Sequence, residues 1–122
     1  CSEIENITKD GKKLTIQLLF CYGGRQEIVA GVQQICDLVR SAKLDVTSIT
    51  EQSFKKYLWS GDIPDPDLVV RTGFANRLSN FLTYQTAYSE LYFPQCLWPD
   101  MTHEEFEAAY DYFMSCKRNF GR

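Results

Sequence analysis

The hydrophobic pattern changes period several times along the chain. Thr15–Cys21 (TIQLLFC) is an apolar run that stops at Tyr22-Gly23-Gly24-Arg25. A short apolar run closed by glycines predicts a buried strand of a parallel sheet. From Glu27 the spacing lengthens, and Ile28, Val32, Ile35, Cys36 and Val39 fall on one helical face. Thr50 is placed to cap a second helix ending near Gly61, with Ile49 and Phe54 at the two positions of a hydrophobic staple. Asp62-Ile63-Pro64-Asp65-Pro66 cannot continue a helix. Leu68-Val69-Val70 predicts a short strand leading into Arg71-Thr72-Gly73. Leu78, Phe81, Leu82, Gln85 and Tyr88 predict another helix, and Leu91-Tyr92-Phe93 a third strand closed by Pro94. In the last helix, Thr102 and Glu105 form a capping box and Met101 and Phe106 a staple. Phe106, Tyr110, Phe113 and Lys117 keep its spacing.

The resulting order, β-α-α-β-α-β-α, predicts an α/β fold: a parallel sheet with helices on both faces. Ligands of such sheets bind beyond the C-terminal strand ends, which here carry Tyr22–Arg25 and Arg71–Arg77. A length of 122 residues allows one domain, and no internal repeat divides it. With 44% hydrophobic and 24% charged residues, disorder and collagen-like repeats are excluded. A net charge of −3 argues against a nucleic-acid partner while leaving room for local basic sites. Five widely spaced cysteines and a single histidine, His103, offer no zinc-ligand spacing, and favour a reduced, cytoplasmic compartment. The longest apolar run, Leu18–Tyr22, is too short to span a bilayer, and the start does not read as a signal peptide. The chain opens without Met, at Cys1-Ser2-Glu3-Ile4.

Candidate chemistry gathers after the second predicted strand. Arg71 and Arg77 flank a glycine turn, with Ser79 close behind. Guanidinium forks bind phosphate oxygens bidentately and a hydroxyl adds a neutral donor, so a diphosphate suits this set. The same spacing also describes two solvated loop arginines. Glu90 could offer a carboxylate to Mg2+, which takes one or two protein carboxylates plus phosphate oxygens; it could equally be a surface residue at a helix end. Arg25, opening a helix after Gly23-Gly24, reads either as a phosphate contact or as an ion-pair partner of Glu27 or Asp37. Neither a nucleophile elbow nor a phosphate-loop or dinucleotide fingerprint occurs.

Read together, the segments resemble the C-terminal half of the cis-prenyltransferases, the family of undecaprenyl diphosphate synthase. The resemblance runs in order from about Leu14 to Gly121. It rests on Tyr22-Gly23-Gly24-Arg25, Asp67–Gly73 (DLVVRTG), Arg77–Leu82 (RLSNFL), Gln85, Ala87–Phe93 (AYSELYF), Leu97–Asp100 (LWPD) and Arg118–Gly121 (RNFG). It implies condensation of isopentenyl diphosphate onto an allylic diphosphate, such as farnesyl diphosphate, in cis geometry to make polyprenyl diphosphate. It further implies that Arg71, Arg77 and Ser79 bind the isopentenyl diphosphate, with Arg25 and Arg118 as further diphosphate contacts, and that Glu90 binds Mg2+. A homodimer is expected, with Phe81–Phe93 as contact surface, as is a cytoplasmic enzyme able to associate peripherally with membranes.

Three departures stand out. Phe74-Ala75-Asn76 replaces the family's usual Gly-Glu and variable residue. Asn119 stands where an Arg-x-Gly motif is frequent, with Arg118 and Arg122 as neighbouring donors. The Asp-Gly-Asn-x-Arg-Trp motif of the family's N-terminal half is missing, so the chain is expected to be a fragment holding half a site, without a catalytic residue of its own and inactive in isolation. The alternative is a noncatalytic partner subunit of a heteromeric enzyme. Retention of Arg71, Arg77, Ser79 and Glu90 favours the catalytic type.

Overall fold

The computed structural model describes residues 2–61 and 63–117. Helix α1 (Ser2–Thr8) precedes α2 (Gly24–Arg40) and α3 (Glu51–Lys55). Strands β1 (Leu68–Val70) and β2 (Glu90–Tyr92) follow, and α4 (His103–Ser115) closes the order. The two strands are parallel, with Leu68 opposite Glu90, Val69 opposite Leu91 and Val70 opposite Tyr92. α4 lies against β2: Ala109 is buried, and the Tyr112 ring sits 5.3 Å from that of Tyr92. The α/β class and the parallel pairing are those expected. Among the described residues no helix is long and apolar enough to cross a membrane.

The expected caps form. Thr50 Oγ1 accepts the Ser53 N–H (3.1 Å) while Ser53 Oγ accepts the Thr50 N–H (2.8 Å), a reciprocal box. At Thr102 the side-chain half of the expected box forms, Oγ1 accepting the Glu105 N–H at 3.3 Å. α3 nevertheless ends at Lys55 rather than near Gly61, because 56–61 continues as turns whose backbone closes on itself, with Leu58 N–H donating to Lys55 O and Gly61 N–H to Leu58 O.

Two predicted elements do not form. Thr15–Cys21 is not a strand, and Leu14, Ile16, Leu18 and Phe20 are all exposed. A strand exists only as part of a hydrogen-bonded ladder, and among the described residues none pairs with this run. The helix expected over Leu78–Tyr88 is a series of turns. Ser79, Asn80 and Leu82 take φ values of +48°, +68° and +43°, in the left-handed region that an α-helix cannot contain. Tertiary bonds described below hold them there.

The buried face of α2 is also turned from the expected one. Gly24, Glu27, Gly31 and Ile35 are buried, while Val32 and Cys36 are exposed. The reason is the backbone at 57–58, against which this helix lies: a Cβ on Gly31 would stand 3.1 Å from Tyr57 O. Two glycines on one face permit that approach, and Glu27 between them is carried inward.

Candidate functional site

Arg71 follows β1 directly, and its N–H donates to Tyr92 O at 2.9 Å, extending the ladder by one bond. Its guanidinium is folded back over the turn that follows: Nη1 donates to Ser79 Oγ at 2.8 Å and to the Arg77 carbonyl. The strand end thus brings Arg71 and Ser79 together, as the spacing suggested. A cleft of about 320 Å3 opens beside them, lined by Arg71, Thr72 and Ser79 on its polar side and Val69, Val70, Leu78 and Phe81 on its apolar side. Arg71 spends one nitrogen on the protein and keeps the rest of its five N–H donors for a ligand.

The turn is braced by glycine. Gly73 N–H donates to Cys96 O at 2.8 Å, with φ at +92°. A Cβ there would meet nothing within 4 Å, so Gly73→Ala is expected to cost only its conformational strain. That loss, about 1–2 kcal/mol, is measurable by urea denaturation; an unchanged midpoint would remove the strain argument. Phe74, in place of the family's glycine, also sits in the left-handed region at φ +59°.

Arg77 and Arg25 have exposed side chains. Neither carboxylate proposed as an ion-pair partner meets Arg25. Asp37 is bound by Arg40 at 2.8 Å, and Glu27 is fully buried elsewhere. The ion pairs among the described residues are Arg40–Asp37, Lys55–Asp65 and His103–Glu107. Arg25, Arg71 and Arg77 belong to none of them.

Glu90 is not brought to this cluster. It opens β2 opposite Leu68, whereas Arg71 lies past the other end of the ladder, roughly 10 Å away along the strands. Its carboxylate faces α4 instead. Burial first, then Glu90, push the Cys116 thiol up; the Tyr112 phenol is raised chiefly by its hydrogen bond with Cys116. The described residues hold no group of three or more metal-ligating side chains; Mg2+, which takes one or two protein carboxylates with diphosphate oxygens, does not require one. Arg118, Asn119 and Arg122 lie outside the described residues.

The largest feature not anticipated from the sequence is a buried polar network behind the cleft. Glu27 Oε1 accepts the Ser60 N–H (3.1 Å) and hydroxyl (3.3 Å). Oε2 accepts Gln85 Nε2 at 2.9 Å and the Tyr22 hydroxyl. Burial alone would raise the Glu27 pKa, but the bonds from Gln85, Tyr22 and Ser60 together outweigh it and hold the carboxyl below its ordinary range. Tyr22, pushed well up by burial and by the Glu27 charge, stays protonated as a donor. Its ring packs edge-on against Phe81, at 5.9 Å, and Phe81 walls the cleft. The legible signal was Glu27 lying three residues after Gly24 and four before Gly31, on the glycine face of α2.

A sequence model of the undecaprenyl diphosphate synthase family matches residues 1–121. An isoprenyl transferase from Thermotoga maritima is 44% identical over 120 residues, covering 98% of this chain and 50% of that protein. A farnesyl-diphosphate-specific ditrans,polycis-undecaprenyl-diphosphate synthase from Buchnera aphidicola is 40% identical over 119 residues, covering 98% of this chain and 48% of the other. The crystal structure of lavandulyl diphosphate synthase from Lavandula x intermedia, in complex with dimethylallyl diphosphate, superposes with a TM-score of 0.94 at 31% identity. It covers 99% of this chain and 52% of that one. The chain spans about half the length of the relatives it matches. By sequence and by fold, it belongs to the undecaprenyl diphosphate synthase family of cis-prenyltransferases.

Proposed function

We propose that this chain is the isopentenyl-diphosphate half of a cis-prenyl chain-elongating transferase that makes polyprenyl diphosphate. The observation that carries the reading is the strand-end cluster: Arg71 locked onto Ser79 beside a cleft, with Arg71, Arg77 and Arg25 free of carboxylate partners among the described residues. In a chain of net charge −3, an unneutralised Arg71 guanidinium lining the cleft, with Arg77 on the loop that follows and Arg25 at the start of α2 also unpaired, favours an anion. The cleft is two-sided. Arginine and serine donors match a diphosphate, and Val69, Val70, Leu78 and Phe81 match a short branched hydrocarbon. Fixed cations of this kind also stabilise charge that develops as an allylic diphosphate ionises.

Mg2+ is part of this proposal through Glu90, which would supply one carboxylate, with diphosphate oxygens and groups outside the described residues completing the coordination. The uncovered run Leu14–Phe20 supports the view that this chain is half of a larger domain, whose remaining strands would pair with it. A homodimer, farnesyl diphosphate as allylic partner and peripheral membrane association belong to the same proposal. Intact Arg71, Arg77 and Ser79 favour a catalytic chain over a noncatalytic subunit.

The test is chain elongation. Full-length protein supplied with Mg2+, isopentenyl diphosphate and farnesyl diphosphate is expected to release longer prenyl diphosphates, resolved by thin-layer chromatography. Residues 1–122 alone are expected to show no turnover. A folded full-length protein that makes no longer product would overturn the enzyme reading.

A further inference from the structure

Helix α2 begins without a capping side chain of its own. Its N-cap residue is Gly23, which offers no side-chain acceptor, so the first N–H groups of the helix need partners from elsewhere. Asn80, 55 positions away from Arg25, provides them. Its carbonyl accepts the Gly24 N–H at 2.7 Å, its Oδ1 accepts the Arg25 N–H at 2.8 Å, and its Nδ2 donates to Gln26 Oε1 at 3.0 Å. The joint has no slack. A Cβ on Gly24 would stand 2.8 Å from Thr83 N, and one on Gly23 2.7 Å from Asn80 Nδ2. Asn80 also holds φ at +68°, a conformation that asparagine tolerates better than most side chains.

Two consequences follow for the anion site. The Gly24 and Arg25 amides are already occupied, so Arg25 would meet an anion there through its side chain. Moreover, Asn80 is bonded covalently to Ser79, whose hydroxyl holds Arg71. We infer that Asn80 is a positioning residue: by capping α2 from the 79–83 turn, it fixes the distance between Arg25 and the Arg71–Ser79 pair, so that the two loops grip one diphosphate. This rests on the proposed reading of Arg71 and Ser79, and deepens it.

Asn80→Gly keeps the left-handed backbone and deletes the side-chain bonds. Asn80→Asp keeps the acceptor for the Arg25 N–H. In full-length protein, amide hydrogen exchange at Arg25 is expected to accelerate about 5- to 30-fold in Asn80→Gly, the factor for losing a cap worth 1–2 kcal/mol, and to stay slow in Asn80→Asp. The KM for isopentenyl diphosphate should rise by a similar factor in Asn80→Gly with kcat within about twofold, because the ground-state grip loosens while the chemistry is untouched. A purely structural role would lower the folded fraction, and so kcat, at constant KM. That pattern, an unchanged KM, or rapid Arg25 exchange in Asn80→Asp would each overturn the inference. Lack of turnover in the wild type would instead remove the functional reading, leaving the exchange measurement to judge the clamp.

Discussion

In full-length protein, Arg71→Ala is expected to raise the KM for isopentenyl diphosphate by one to two orders of magnitude. A hydrogen bond to a charged group contributes about 1.5–3 kcal/mol, and each 1.4 kcal/mol is about tenfold. Arg71 holds this position because β1 ends at Val70 and its own N–H bonds to Tyr92 O at 2.9 Å, which leaves the guanidinium over the cleft. Arg71→Lys should restore little of the loss. Lysine keeps the charge but not the fork that spans Ser79 Oγ and a ligand at once. The KM for the allylic substrate should move far less than that for isopentenyl diphosphate. Steady-state kinetics with each substrate varied in turn reads the difference, and an unchanged isopentenyl diphosphate KM would refute the assigned role.

The second large effect lies behind the site. Glu27→Ala should destabilise the fold by on the order of 3–5 kcal/mol, since it strands several buried donors, each costing about 1–3 kcal/mol when unpaired. Gln85 Nε2 also donates to Ser60 Oγ at 2.5 Å, so the Tyr22 hydroxyl and the Ser60 N–H are the donors that lose most. Denaturant unfolding should show a lower midpoint at an unchanged slope. A loss below about 0.5 kcal/mol, the size of an ordinary surface substitution, would mean that the network contributes nothing.

The pH dependence has a definite sign. The folded Glu27 pKa lies below its ordinary value of 4.5, so its contribution is complete above that value and is lost as pH falls through the folded pKa. The wild type should therefore lose stability relative to Glu27→Gln on acidification below about pH 4.5. Parallel acid limbs for the two proteins would contradict an ionised Glu27.

Local signals were read correctly where the interactions are local. Thr50 and Thr102 cap their helices as their neighbours dictate, because the donor lies three residues away. β1 formed at its β-branched run. Readings failed where a pattern needed a distant partner. The spacing Leu78–Tyr88 is helical in period, yet Asn80 and Gln85 turn to α2 and Glu27 instead, and backbone at positive φ follows. Thr15–Cys21 has the composition of a strand and no ladder to join among the described residues.

By itself, then, the order of residues determined the family, the parallel α/β class, the helix caps, and the candidacy of Arg71, Arg77 and Ser79. All of these rest on neighbours within a few positions or on motif spacing. Tertiary structure alone decided that Arg71 meets Ser79, that Glu90 stands at the other end of the ladder, that α2 turns its glycine face inward, and that Asn80 caps a helix 55 positions away. Those outcomes depend on which buried donor finds which acceptor once the segments pack. Burial makes an unpaired polar group costly, and so it selects partners that no local pattern contains.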